Sequence, residues 1–141
     1  VYKRQSEFIE SHKEKLIDPM TFDLLKRHKD DFRLVASGSL DFIVKGFTNY
    51  FELDAYLGSS YEVVDNKISG KLTKAAFAQG KLEKVREWCQ KNGFIVEESF
   101  FYTDSINDLP LIKVCPRSII ISPDKKLEDY ALANNIEVLT R

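Results

Sequence analysis

The chain has 141 residues, enough for one domain with a real core, and its 43% hydrophobic and 30% charged content is that of an ordinary globular protein. A formal net charge of −1 removes the electrostatic case for general nucleic-acid binding. No apolar run approaches the roughly 20 residues needed to cross a bilayer, and no secretory signal pattern is present. Cys89 and Cys115 lie far apart and do not resemble a metal knuckle, so free thiols in a reducing, cytoplasmic setting are expected. His12 and His28 sit among helical charges and are expected on the surface.

In chain order, residues 6–16 place Phe8, Ile9 and Leu16 on one stripe among charges, the pattern of an amphipathic helix. Asp18-Pro19 is a capping acid before a proline at the first helical position, and predicts a second helix through Leu24, Leu25 and His28, closed by Asp30-Asp31. Phe32-Arg33-Leu34-Val35-Ala36 reads as a strand that stops at Ser37-Gly38-Ser39. Leu40-Asp41-Phe42-Ile43-Val44 then opens a helix with Ser39 as its N-cap. The N–H groups of such a helix start can hold an anion, with the Ser37 hydroxyl as a further donor; the same residues also suit a plain tight turn. Tyr61–Val64 and Lys67–Lys71 alternate around Asp65-Asn66 as a β-hairpin does.

Gly80-Lys81 opens a helix with Leu82, Val85, Trp88 and Cys89 on its apolar stripe, and Asn92-Gly93 ends it. Lys81 falls in the first turn, where the helix dipole disfavours a cation, so an anion beside it is one reading and a solvated lysine the other. Phe100-Phe101-Tyr102-Thr103 is an apolar strand that stops abruptly at Asp104. Asp108 follows four positions later, just before Leu109-Pro110. Two carboxylates at a strand end suit a hard cation such as Mg²⁺. Asp-Ser-x-x-Asp is equally the pattern of a helix start. A short helix leads to Cys115-Pro116, Ser118–Ile121 is a buried strand, Ser122-Pro123-Asp124 starts another helix, and Ile136–Leu139 is a last strand. Strands alternating with helices predict an α/β fold with a Rossmann-like, three-layer parallel sheet. In such a sheet, strand ends and helix starts lie on the ligand edge, where Ser37, Lys81, Asp104 and Asp108 together would suit a phosphate held with Mg²⁺.

Val35-Ala36-Ser37-Gly38-Ser39-Leu40-Asp41-Phe42, Gly80-Lys81 with Val85-Arg86-Glu87-Trp88, Tyr102 to Pro110, and Ser122-Pro123-Asp124-Lys125-Lys126-Leu127 together resemble the haloacid dehalogenase superfamily, in its phosphoserine-phosphatase-like branch. The resemblance runs from about Phe32 to the C-terminus. It implies a Mg²⁺-dependent phosphomonoester hydrolase acting on a small phosphorylated substrate through an aspartyl-phosphate. Carried over by position, Ser37 with Gly38 would bind the phosphoryl group, Lys81 would neutralise it and the nucleophile, Asp104 would ligate the metal, and Asp108 would support the metal directly or through water. Residues 1–30 would be the end of a helical cap and residues 31–141 the core. Substrate choice in this branch lies largely in the cap, which leaves phosphoserine, a sugar phosphate and a lipid phosphate equally admissible.

One motif of that family has no counterpart here. Its Asp-x-Asp-x-Thr/Val segment, which supplies the nucleophile, occurs nowhere in the sequence. In the family the strand bearing it lies between the strands that would here end at Ser37 and at Asp104. The expectation is a truncated chain, inactive alone, whose nucleophile comes from a segment before Val1 or from another chain, with an open sheet edge prone to associate. The rival expectation is a catalytically dead phosphate- or metal-binding module with a regulatory or scaffolding role.

Overall fold

The computed structural model describes residues 2–140, apart from the side chains of Tyr2, Lys3, Gln5 and Ser6. Val1 and Arg141, the outer ends of the two expected domains, lie outside the described residues. The chain forms two compact units, Val1–Ala76 and Phe77–Arg141.

The first unit runs α1 (Tyr2–Leu16), α2 (Pro19–Arg27), β1 (Leu34–Leu40), α3 (Asp41–Tyr50), β2 (Ala55–Val64) and β3 (Lys67–Lys74). α2 starts as its sequence predicts: Met20 N–H donates to Asp18 Oδ1 at 2.8 Å, and Pro19 takes a position whose N–H has no helical partner anyway. The α1 stripe is only partly an inward face. Ile9 is buried, whereas Phe8 and Leu16 are half exposed. Phe8 instead stacks on the exposed ring of His12, with centroids 4.5 Å apart. His28, expected on the surface, has a side chain only 14% exposed, with Nδ1 2.7 Å from Asp31 Oδ2. α1 packs on α3, and α3 packs on β1 and β2 with Val44 and Thr48 inward.

β1 continues past Ala36 to Leu40, so Ser39 belongs to the strand and is not the cap of α3; Leu40 holds that position without a side-chain bond. The cause is local. Ser39 N–H donates to Ser37 Oγ at 3.2 Å, and the three small residues take up a register slip. Ala36 pairs with Leu57 and Leu40 with Ser59, so Ser37, Gly38 and Ser39 stand opposite Gly58 alone as a bulge. β2 runs parallel to β1 over its first half, then turns antiparallel to β3. The hairpin closes at Asp65 and Asn66 with φ of 49° and 60°, the left-handed pair that a two-residue hairpin loop requires.

The second unit runs α4 (Gln79–Asn92), a 3₁₀ turn at Val96–Glu98, β4 (Phe100–Thr103), a 3₁₀ turn at Ile106–Asp108, α5 (Leu109–Val114), β5 (Arg117–Ile121), α6 (Lys125–Ala133) and β6 (Glu137–Leu139). The three strands are parallel in the order β4-β5-β6. Ile112, Ile120, Leu127 and Ala131 form the core, with Phe101, Tyr130 and Val138 against it. β5 is apolar on consecutive residues because both of its faces are covered. Gly93 ends α4 in the left-handed region at φ 78°, and Leu127 N–H donates to Asp124 Oδ1 at 2.9 Å to cap α6. Cys89 and Cys115 are both free and buried.

The single parallel sheet expected from the alternation is instead two three-stranded sheets, one mixed and one parallel. Among the described residues no strand pairs with the outer edge of β1 or with that of β4, so each strand ends its own sheet. The fold is mixed α/β, with a small β-hairpin at the far side of the first sheet.

Candidate functional site

Pairing of β4 with β5 carries Phe100–Thr103 into the second sheet and buries Thr103 at its carboxyl end. The chain then reverses over a few residues. Ser105 N–H donates to Thr103 Oγ1 at 3.1 Å, and Asn107 N–H donates to Ser105 Oγ at 3.2 Å, which winds the 3₁₀ turn. The turn brings Asp108 back to the strand it left: Thr103 Oγ1 donates to Asp108 Oδ2 at 2.7 Å. Asp104 stays exposed in the bend, while Asp108 is buried.

Lys81 is the other half of this arrangement. It lies in the first turn of α4, just after Ala78, whose backbone at φ 49° and ψ −128° sits in a region that favours glycine. Its Nζ donates to Asp108 Oδ1 at 2.5 Å, with the two side chains 11% and 8% exposed. The anion that a first-turn lysine calls for is therefore Asp108. Removing one partner would strand the other charge, which typically costs about 3–5 kcal/mol.

Both oxygens of Asp108 are thus engaged, one by an ammonium and one by a hydroxyl. Among the described residues no three His, Cys, Asp or Glu side chains are grouped to hold a metal. The open carboxylate is that of Asp104, at the strand end. A cation that keeps several waters and takes one or two carboxylates fits Asp104; these residues do not form a whole cage.

Ser37 and Gly38 belong to the first unit, in the β1 bulge, where Ser37 is half buried and Gly38 exposed. The next strand holds this bulge through residues that sequence reasoning passed over. Ser59 Oγ donates to the Gly38 carbonyl at 2.8 Å and accepts from Ala76 N–H at 3.1 Å. Ser60 Oγ donates to Asp41 Oδ2 at 2.7 Å. Gly58 leaves no room: a Cβ there would lie 2.7 Å from Asp41 Cα. The signal in the sequence was the small triplet Gly58-Ser59-Ser60 between Ala55-Tyr56-Leu57 and the hairpin that begins at Tyr61. Of the expected site residues, the structure joins Lys81 to Asp108, leaves Asp104 open at the end of β4, and sets Ser37 and Gly38 in the β1 bulge.

Comparison with known proteins adds a family. Residues 2–113 match the model of haloacid dehalogenase-like hydrolases. The chain is 28% identical over 130 residues to a histidinol-phosphatase of Neisseria meningitidis, covering 87% of this chain and 59% of the relative. It is 29% identical over 87 residues to a phosphoserine phosphatase of Mycobacterium tuberculosis, covering 61% of this chain and 28% of the relative. With 46% of a probable phosphatase of the same organism also covered, the chain spans about half the length of the curated relatives it matches. Among solved structures, it resembles a protein of unknown function from Bordetella pertussis at a TM-score of 0.87 and 23% identity, covering 96% of this chain and 63% of that one. It also resembles a phospho-aspartyl intermediate analogue of phosphoserine phosphatase at 0.63 and 21%, covering 97% and 68%. At these identities the structural likenesses speak for the fold.

Proposed function

The chain belongs to the haloacid dehalogenase-like hydrolases, and on that premise we propose that the whole protein is a Mg²⁺-dependent phosphomonoester hydrolase acting through an aspartyl-phosphate on a small phosphorylated substrate. The observation that carries this reading is the buried Lys81–Asp108 pair set beside the open carboxylate of Asp104 at the end of β4. A lysine and an aspartate kept out of water, next to a strand-end acid, is an arrangement suited to phosphoryl chemistry. The phosphatase names carried by two of the relatives favour the same chemistry.

In this reading each residue has one task. Ser37 and Gly38 donate to the phosphoryl oxygens. Lys81 offsets their charge, and Asp108 fixes the direction of its ammonium. Asp104 would hold Mg²⁺, which when bound would neutralise the phosphoryl oxygens. The attacking carboxylate forms the bond to phosphorus as the alcohol leaves, and water then cleaves the acyl phosphate. No Asp-x-Asp segment stands among these 141 residues, so the nucleophile is assigned to a part of the protein outside them. Among the described residues the outer edge of β1 and that of β4 each pair with no strand, and each is open to pairing. The same absence favours a second reading, a catalytically inert phosphate- or metal-binding module.

Acid-quenching the whole protein during turnover of a phosphomonoester decides between the two. The hydrolase reading expects a phosphoryl group on an aspartate outside residues 1–141. Turnover with no phosphoenzyme, or hydrolysis by the 141-residue chain that survives Asp104→Asn, contradicts it. Phosphate binding without turnover supports the inert module.

A further inference from the structure

Resting on that reading, we infer that Gly58-Ser59-Ser60 of β2 is a positioning element for the phosphate-binding bulge Ser37-Gly38-Ser39. A bulge takes main-chain groups out of the ladder and bends the strand that holds it. Here three residues leave the register at once, and each is small. Left to itself such a segment has many conformations, because glycine and serine resist few of them.

The facing strand removes that freedom at two points. Ser59 is 2% exposed, and its hydroxyl bonds in both directions, donating to the Gly38 carbonyl and accepting from Ala76 N–H. It fastens the middle of the bulge to the backbone just beyond β3. Ser60 fastens the far end, through the Asp41 carboxylate at the first position of α3. Gly58 permits both, since any side chain there would collide with the Asp41 backbone. The structure releases the ladder beside Ser37 and re-anchors it with two serines, as a group that must be aimed requires.

The test uses the whole protein and two readouts, amide hydrogen exchange over residues 37–41 and the Kd for inorganic phosphate with Mg²⁺ present. Ser59→Ala and Ser60→Ala should each speed exchange across the bulge and weaken phosphate binding by at least about fivefold, the effect of one lost hydrogen bond. Ser59→Thr, which keeps the hydroxyl, should recover most of the affinity. Thr48→Val is the structural control. It deletes another buried hydroxyl of the same unit, one that donates to the Val44 carbonyl at 2.8 Å, and should change neither readout. Phosphate affinity within twofold of wild type in both serine variants, or an equal loss in Thr48→Val, overturns the inference. A wild-type protein that binds phosphate and hydrolyses no phosphomonoester overturns the hydrolase reading, and the same variant comparison still decides the positioning role. A wild-type protein that binds no phosphate overturns both.

Discussion

Lys81 Nζ donates to Asp108 Oδ1 across 27 residues of sequence, and the pair is shut away from solvent at the carboxyl end of β4 with Thr103 on the other carboxylate oxygen. Such a pair contributes little over well-packed apolar side chains, but it is costly to break. Asp108→Ala should therefore destabilise the protein by about 3–5 kcal/mol, because it leaves the ammonium buried and Thr103 without its acceptor. Lys81→Met combined with Asp108→Leu should cost clearly less than the two single changes added together. Urea unfolding of the four proteins in the cycle measures this. Strict additivity would show that the two charges do not compensate one another.

Asp104 is the opposite case, an exposed carboxylate at the strand end. Asp104→Asn should leave stability within about 0.5 kcal/mol of wild type. It should abolish any rise in Tm that Mg²⁺ gives the wild-type protein. An undiminished Mg²⁺-dependent shift in the variant would place the cation elsewhere.

The buried Cys115 thiol is pushed from 9.0 up to about 11, chiefly by burial and then by the negative charge of Glu97. Between those values the unfolded chain has lost this proton and the folded chain keeps it. Stability must then fall as pH rises from about 9 to 11, by at most about 1.4 kcal/mol per pH unit from this group. Denaturation midpoints at pH 8 and pH 10 test this, and Cys115→Ala should flatten the slope. Burial of Cys89 raises its thiol as well and leaves a residual slope of the same sign.

Gly93 ends α4 at φ 78°, with open space where a Cβ would stand. Gly93→Ala meets no clash, so its cost is that of the left-handed backbone alone, about 1–2 kcal/mol. Thermal unfolding should show that loss. A neutral result would mean that α4 can end in another way.

Elements whose ends are set by local chemistry were legible in the sequence. Asp18-Pro19, Asp65-Asn66, Asn92-Gly93 and Asp124 each cap or turn the chain by bonds within a few residues, and each does so where the pattern placed it. What depends on distant partners was not legible. The parallel half of β2 shows no alternation, and its Gly58 faces a bulge and not a regular ladder. Ser39 has the composition of a cap, yet β1 runs past it and Leu40 takes the cap position. Phe8 and Leu16 lie on an apolar stripe that the described residues leave half exposed. At the candidate site, the positions of Lys81, Asp104 and Asp108 could be read from strand ends and helix starts. That Asp108 serves Lys81 and Thr103, leaving Asp104 as the open acid, required three dimensions.

The most direct measurement is phosphate release from p-nitrophenyl phosphate by the whole protein, with Mg²⁺ and after its removal by a chelator, for the wild type and Asp104→Asn. Turnover that needs the metal and falls at least about a hundredfold in the variant is the result predicted here. Metal-independent turnover, or turnover that Asp104→Asn leaves intact, would contradict it.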